Sequence, residues 1–314
     1  MIQKTMLALS LVLFVSNAEA ADHADLVASS KRVLFLGDSI THAGHYISRI
    51  EAQLRTANPK SVPVLINLGL PSETCSGLSE PDHPFPRPDV HERIERALAK
   101  TKPDVVFACY GMNDGIYYPF SDERLAAYQK GINGIITKVQ ASGAKLVLMT
   151  PPAFDPLPLH KKGSLRPAGS EKYAWFAIYE GYDDVLKKYA AWVMTLGDRV
   201  DLVIDLHTPV YDYVAIKRKE DPEFTMSPDG VHVNEEGHQV LAAAALQALG
   251  IKPIDLDPTL LGLVTQRQQL LHASWVSRVG HERPGVAAGL PLDEAQAKAN
   301  EFDQLIREQL SKKD

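Results

Sequence analysis

The stretch Arg32-Val33-Leu34-Phe35-Leu36-Gly37-Asp38-Ser39 carries an apolar run that stops abruptly at three small or turn-forming residues. A short apolar run without polar alternation reads as a strand buried on both faces, which is how strands of a parallel sheet covered by helices look. Outward from it, similar β-rich runs lie at 62–68, 105–110, 146–150 and 202–206 beside the first at 32–36. Between them, residues 45–57, 89–100, 122–141 and 182–196 have helical periodicity, and 234–249 closes the pattern behind an Asn234 cap with Gly250 as its stop. Strands alternating with helices predict a doubly wound α/β fold of about five parallel strands with helices on both faces, each crossover right-handed. In such a fold, ligands meet the loops at the carboxyl ends of the strands.

The rest of the chain narrows the class. Lys4, the apolar run from Met6 to Val15 and Ala18-Glu19-Ala20 read as a signal peptide over residues 1–20, cleaved near Ala20, so export to the periplasm or beyond is expected. No later run has the roughly 18 apolar residues of a membrane span. About 290 residues remain, assigned as one large α/β domain over 21–250 and a helical extension over 251–314. The extension comprises a helix from 258 to about 275, a turn over 282–289, and an amphipathic helix from 293 to about 310 with an apolar stripe of Phe302, Leu305, Ile306 and Leu310. A formal charge of −6 gives no footprint for nucleic acid or anionic lipid. Cys75 and Cys109 are the only cysteines; pairing and two separate buried thiols are both open. The Pro-rich stretches 71–88 and 151–170 are long enough to be lids or binding loops beside the crevice.

Three segments fall just past strands: Gly37-Asp38-Ser39-Ile40-Thr41, Asn67-Leu68-Gly69 and Gly111-Met112-Asn113-Asp114; a fourth, Asp229-Gly230-Val231-His232, precedes the last helix of the pattern. A serine hydroxyl needs a base, a group that fixes the tautomer of the base, and donors for the oxyanion that develops. Ser39 supplies the hydroxyl, His232 a base, and Asp229, three residues before it in a turn, a carboxylate within reach of one imidazole nitrogen. The Asn113 amide and the backbone N–H groups of Ser39 and Gly69 are candidate oxyanion donors, Gly69 because a residue without Cβ can approach a ligand closely. Each triplet alone is also an ordinary turn or helix cap; their joint occurrence at successive strand ends carries the reading. Asp38, Asp114 and Tyr117 are candidate substrate contacts, and Trp175 with Phe176 fits either lid or core. His42 and His45 lack a third local ligand, so no metal site is assigned.

These four blocks resemble those of the SGNH hydrolase superfamily, the GDSL esterases and lipases, over about residues 32–249. The resemblance implies a flavodoxin-like sheet, a nucleophilic Ser39, an oxyanion hole of Ser39, Gly69 and Asn113, and a triad completed by Asp229 and His232. Val233 stands where many members have proline. The implied reaction is ester hydrolysis through an acyl-enzyme, without metal or organic cofactor. Short acyl groups, acetyl above all, on small-molecule or polysaccharide esters are the expected substrates. A lipase, lysophospholipase or thioesterase would use the same residues, and a noncatalytic carbohydrate-binding module is the alternative from another class. With an ordinary histidine pKa of about 6.5, activity is expected to rise with pH through about 6 to 7.

Overall fold

The computed structural model describes residues 19–312, and the leader read over 1–20 lies almost wholly outside the described residues. Five strands, β1 (Arg32–Gly37), β2 (Val64–Asn67), β3 (Val105–Cys109), β4 (Lys145–Met149) and β5 (Leu202–Ile204), pair only in parallel, in the order β2-β1-β3-β4-β5. This is the flavodoxin-like order, in which the chain winds outward in both directions from β1. Every residue of β3 and all but the first of β1 are buried, so the unbroken apolar runs have the environment they demand.

The strands end earlier than the apolar runs do. Pro63 has no N–H to give a ladder, and β2 begins after it. Thr150 turns its hydroxyl to Asp205 and receives the Leu206 N–H there, which ends β4 and β5.

Eleven α-helices surround the sheet among the described residues: α1 (Glu19–Ala28), α2 (Ser39–Ala43), α3 (His45–Ala57), α4 (Val90–Thr101), α5 (Asp122–Ala141), α6 (Leu157–Lys161), α7 (Tyr182–Met194), α8 (His207–Lys217), α9 (Glu235–Ala248), α10 (Pro258–Val279) and α11 (Leu292–Ser311). Side-chain caps start several of them where the sequence offers one: Asp89 for α4, Ser121 for α5, Asn234 for α9. α8 has no one-sided sequence signature, because Val210 and Val214 face the interior while Tyr211 and Ile216 are exposed. Its start is fixed by Asp205, whose carboxylate accepts the N–H groups of His207 and Thr208.

Past residue 250, α10 lies against α3, β2 and α4, covering the open edge of the sheet. Gln268 donates to the carbonyl of Leu65 in that edge strand, and α11 packs on α10 through Ala295, Ala299 and Ile306. The α11 stripe is therefore shifted from the expected one: Leu305 is exposed and the two alanines take its place. Both cysteines are buried free thiols, 34 residues apart in sequence, on the 71–88 loop and on β3.

Neither long loop hangs open. The 71–88 loop is pinned at its base by Thr74 N–H to Pro88 O and Val90 N–H to Thr74 O, and inside by a buried bidentate Arg87–Glu80 pair. The 151–170 loop holds α6 and a bridge from Arg166 to Tyr179. Beyond it, Trp175 and Phe176 are exposed in a tight turn and are not part of the core.

Candidate active site

The strand order reverses between β1 and β3, and the crevice lies past the carboxyl ends of these two strands. β1 runs into Gly37, where a Cβ would sit 2.3 Å from Thr41 Oγ1 and 2.8 Å from the Cys109 carbonyl, so only glycine lets the chain turn there. Asp38 caps α2 by accepting the Ile40 N–H at 2.9 Å. Ser39 is thereby the first residue of α2, half-buried at the mouth of the crevice, its own N–H in the turn where a helix supplies no acceptor.

The turn 227–232 comes from the far end of the chain. Gly230 takes φ +81°, with its N–H on Ser227 O and its carbonyl accepting from Asp155 N. Asp229 Oδ1 accepts the backbone N–H groups of Val231 at 3.0 Å and His232 at 2.7 Å. Its Oδ2 lies 2.6 Å from His232 Nδ1, and His232 Nε2 lies 2.7 Å from Ser39 Oγ. The carboxylate fixes the tautomer: Nδ1–H donates to Asp229, leaving the Nε2 lone pair for the serine O–H. Partial burial works against the Asp229 carboxylate, but the His232 side chain and the two backbone amides outweigh it and pull its pKa down to about 2. The same hydrogen bond to Asp229 raises His232 above its ordinary value, against the opposing effect of partial burial. With its side chain about half exposed, His232 exchanges protons with solvent.

Asn113 follows β3 and is buried. Its Oδ1 accepts the Tyr117 hydroxyl at 2.9 Å and its Nδ2 donates to the Glu73 carbonyl at 3.1 Å, so the amide orientation is fixed and one Nδ2 hydrogen is uncommitted to these partners. Gly69, the third expected donor, is bonded internally. Its N–H is held by Asn67 Oδ1 at 2.8 Å, and a Cβ on it would sit 2.2 Å from the backbone nitrogen of His42. The close approach that demands glycine here is to the backbone of α2, and the amide is committed inside the protein. Asn67 also donates to Thr41 O, tying the β2 loop to α2.

The three expected substrate contacts, Asp38, Asp114 and Tyr117, turn inward. Asp38 is 3%, Asp114 0% and Tyr117 4% exposed, as enclosed as Asn113 at 3%, and each has a partner inside the protein. Asp38 caps α2, and burial, opposed by the Ile40 amide and His232, pushes its pKa up to about 7. Asp114 accepts the N–H groups of Cys75 and Ser76, both at 2.8 Å. Tyr117 orients Asn113. Tyr117 and the preceding Ile116 both have φ in the left-handed region, +64° and +45°, so the loop beside Asn113 is strained and held by its bonds.

Residues that sequence reasoning did not single out hold this wall together. Arg93 makes a bidentate pair with Glu73, both oxygens at 2.6 Å, donates to the Leu68 carbonyl at 2.7 Å, and is fully enclosed; Tyr110 donates to the same Glu73. The signal was an arginine in the buried stripe Val90, Arg93, Ile94, Ala97 of α4. His42 faces the Gly69 carbonyl and His45 pairs with Glu235.

A family model for the GDSL-like lipase/acylhydrolase family matches residues 35–240. No curated protein matches the chain. Among solved structures, a gut microbial diltiazem-metabolizing enzyme superposes with a TM-score of 0.52 at 20% identity, over 70% of this chain and 47% of that one. The chain thus spans about half the length of that enzyme. A catalytic mutant of an acetylxylan esterase from Geobacillus stearothermophilus gives 0.52 at 19% identity, over 72% of this chain and 97% of that one. Another acetyl xylan esterase gives 0.50 at 25% identity, over 69% and 98%.

Proposed function

From the premise that the chain belongs to the GDSL-like lipase/acylhydrolase family and is an ester-hydrolysing enzyme, we propose that Ser39 is its nucleophile, His232 its general base and Asp229 the group that orients the base. The observation that carries this reading is the unbroken Ser39–His232–Asp229 relay of 2.7 and 2.6 Å at the crevice. His232 Nε2 takes the Ser39 proton as Oγ attacks the ester carbonyl carbon. The carbonyl oxygen becomes an oxyanion, met by the Ser39 backbone N–H and the second Nδ2 hydrogen of Asn113. Collapse breaks the bond to the alcohol oxygen, to which His232 returns the proton. The acyl-enzyme is then hydrolysed by a water that His232 deprotonates. Gly69 is left out of the donor set because its N–H is already bonded.

We assign short acyl groups, acetyl first, on carbohydrate esters as the substrate class, acting outside the cytoplasm. The acetyl xylan esterase at 25% identity supports the acyl group, and the leader read over residues 1–20 supports export. The test is acetate release from acetylated xylan beside hydrolysis of p-nitrophenyl acetate, butyrate and octanoate. The expected order is acetate above butyrate above octanoate, with acetate released from the polymer. A preference for octanoate would replace the carbohydrate reading with a lipid one.

A further inference from the structure

The loop that follows β2, residues 68–73, has all its early carbonyls occupied. Leu68 O accepts from Arg93 at 2.7 Å, Gly69 O from His272 Nε2 at 3.0 Å and His42 Nδ1 at 3.3 Å, Leu70 O from the Glu73 N–H at 3.2 Å, Pro71 O from Arg283 Nε at 2.8 Å, and Ser72 O from Arg87 at 3.3 Å. Two of these donors, His272 and Arg283, come from beyond residue 250. The last carbonyl of the loop, Glu73 O, is the one that holds Asn113 Nδ2.

The contacts form a chain from the C-terminal helices to the oxyanion donor. Gln268 donates to β2 at Leu65 O, and one turn further along α10 His272 donates to Gly69 O. His272 is buried and stacks edge-on against His42, with ring centroids 4.6 Å apart. Burial lowers its pKa to about 4, so the ring stays neutral and its one N–H lies on Nε2, facing the carbonyl. Arg283 lies over the Phe85 ring of the 71–88 loop while its Nε reaches Pro71. Ser72, at φ +66°, adopts a backbone conformation that side chains rarely take, which the loop keeps only while its surroundings hold it.

Resting on the Ser39–Asn113 reading above, we infer that His272 and Arg283 are positioning residues for catalysis: the C-terminal extension fixes the 68–73 loop, and through Glu73 O the direction of the Asn113 amide. An oxyanion donor acts only if it is aimed before charge develops, and a misplacement of about 1 Å can cost on the order of a hundredfold in rate. The extension is on this account part of the catalytic apparatus of the enzyme, acting on the transition state and leaving ester binding alone.

The test uses the full chain with His272→Ala, His272→Gln and Arg283→Ala. Active sites are counted with a serine-reactive phosphonate, and kcat and KM for p-nitrophenyl acetate are expressed per titrated site. His272→Ala is expected to lower kcat about ten- to a hundredfold with KM within about twofold. His272→Gln, which keeps an N–H donor, is expected to recover most of the loss, and Arg283→Ala to fall between. Unchanged kcat per titrated site, or a loss that only follows a smaller titratable fraction, would overturn the inference, because either outcome makes the extension a structural prop. Failure of the Ser39 reading is separately visible: Ser39→Ala would then still titrate with the phosphonate and turn over.

Discussion

The two walls of the crevice are built on opposite principles. The wall that carries His232 and Asp229 is exposed, a four-residue turn held by short local bonds, with both side chains about half open to solvent. The wall that carries Asn113 is enclosed, its loop bonded carbonyl by carbonyl to Arg93, His42, His272, Arg283 and Arg87. The difference matches the roles proposed for each. A base that gives and takes protons on every turnover has to reach solvent and keep a pKa near neutrality. A dipole that meets a developing oxyanion works by not having to move.

This contrast breaks first at the base. His232→Ala is expected to lower kcat on the order of 10⁶-fold, as loss of a triad base does, with the fold intact by circular dichroism. Asp229→Asn keeps the shape of the turn but cannot accept the Nδ1 proton in the same way, and the expected loss is on the order of 10⁴-fold. On the enclosed wall, Asn113→Ala should cost about 10² to 10³ in kcat with little change in KM, a smaller effect because Ser39 N–H remains as a donor.

Two pH experiments sharpen the comparison. Asp38, behind the serine, keeps its proton to about pH 7 when folded, whereas the unfolded chain releases it near the ordinary 3.8. Its contribution is fully present below that lower value and is lost as pH rises to about 7. Asp38→Asn removes the loss, so between pH 5 and 7 the variant should gain on the order of 2–3 kcal/mol relative to the wild type in urea unfolding. The smallest effect is on the pH profile: the kcat/KM midpoint should lie above 6.5, higher than an ordinary histidine would place it, because the Asp229 bond favours imidazolium. A midpoint at or below 6.5 would deny that bond its influence.

Legibility in the sequence divides along the same line. The exposed wall is local: an aspartate and a histidine three residues apart around a glycine point to it once they are read together with Ser39 at the end of an apolar run. Five strands and their order of appearance were equally legible, since burial on both faces leaves unbroken apolar runs. The enclosed wall depends on partners far along the chain, such as His272 and Gly69, 203 residues apart, and no spacing reveals them. Gly69 is an example. Its lack of a Cβ was correctly seen as permitting a close approach, but the neighbour is the backbone of α2. Asp38, Asp114 and Tyr117 were similarly polar residues beside a crevice whose side chains turn inward to amides and to Asn113. The helix α8 is not marked because its apolar residues lie on its exposed side as well as its buried one.

The most direct measurement is kcat/KM for p-nitrophenyl acetate with the wild-type protein and Ser39→Ala, purified and folded alike. The account predicts a loss on the order of 10⁶-fold, down to the background of the assay. A loss of only a few-fold, with turnover persisting in the variant, would contradict it and require a different nucleophile.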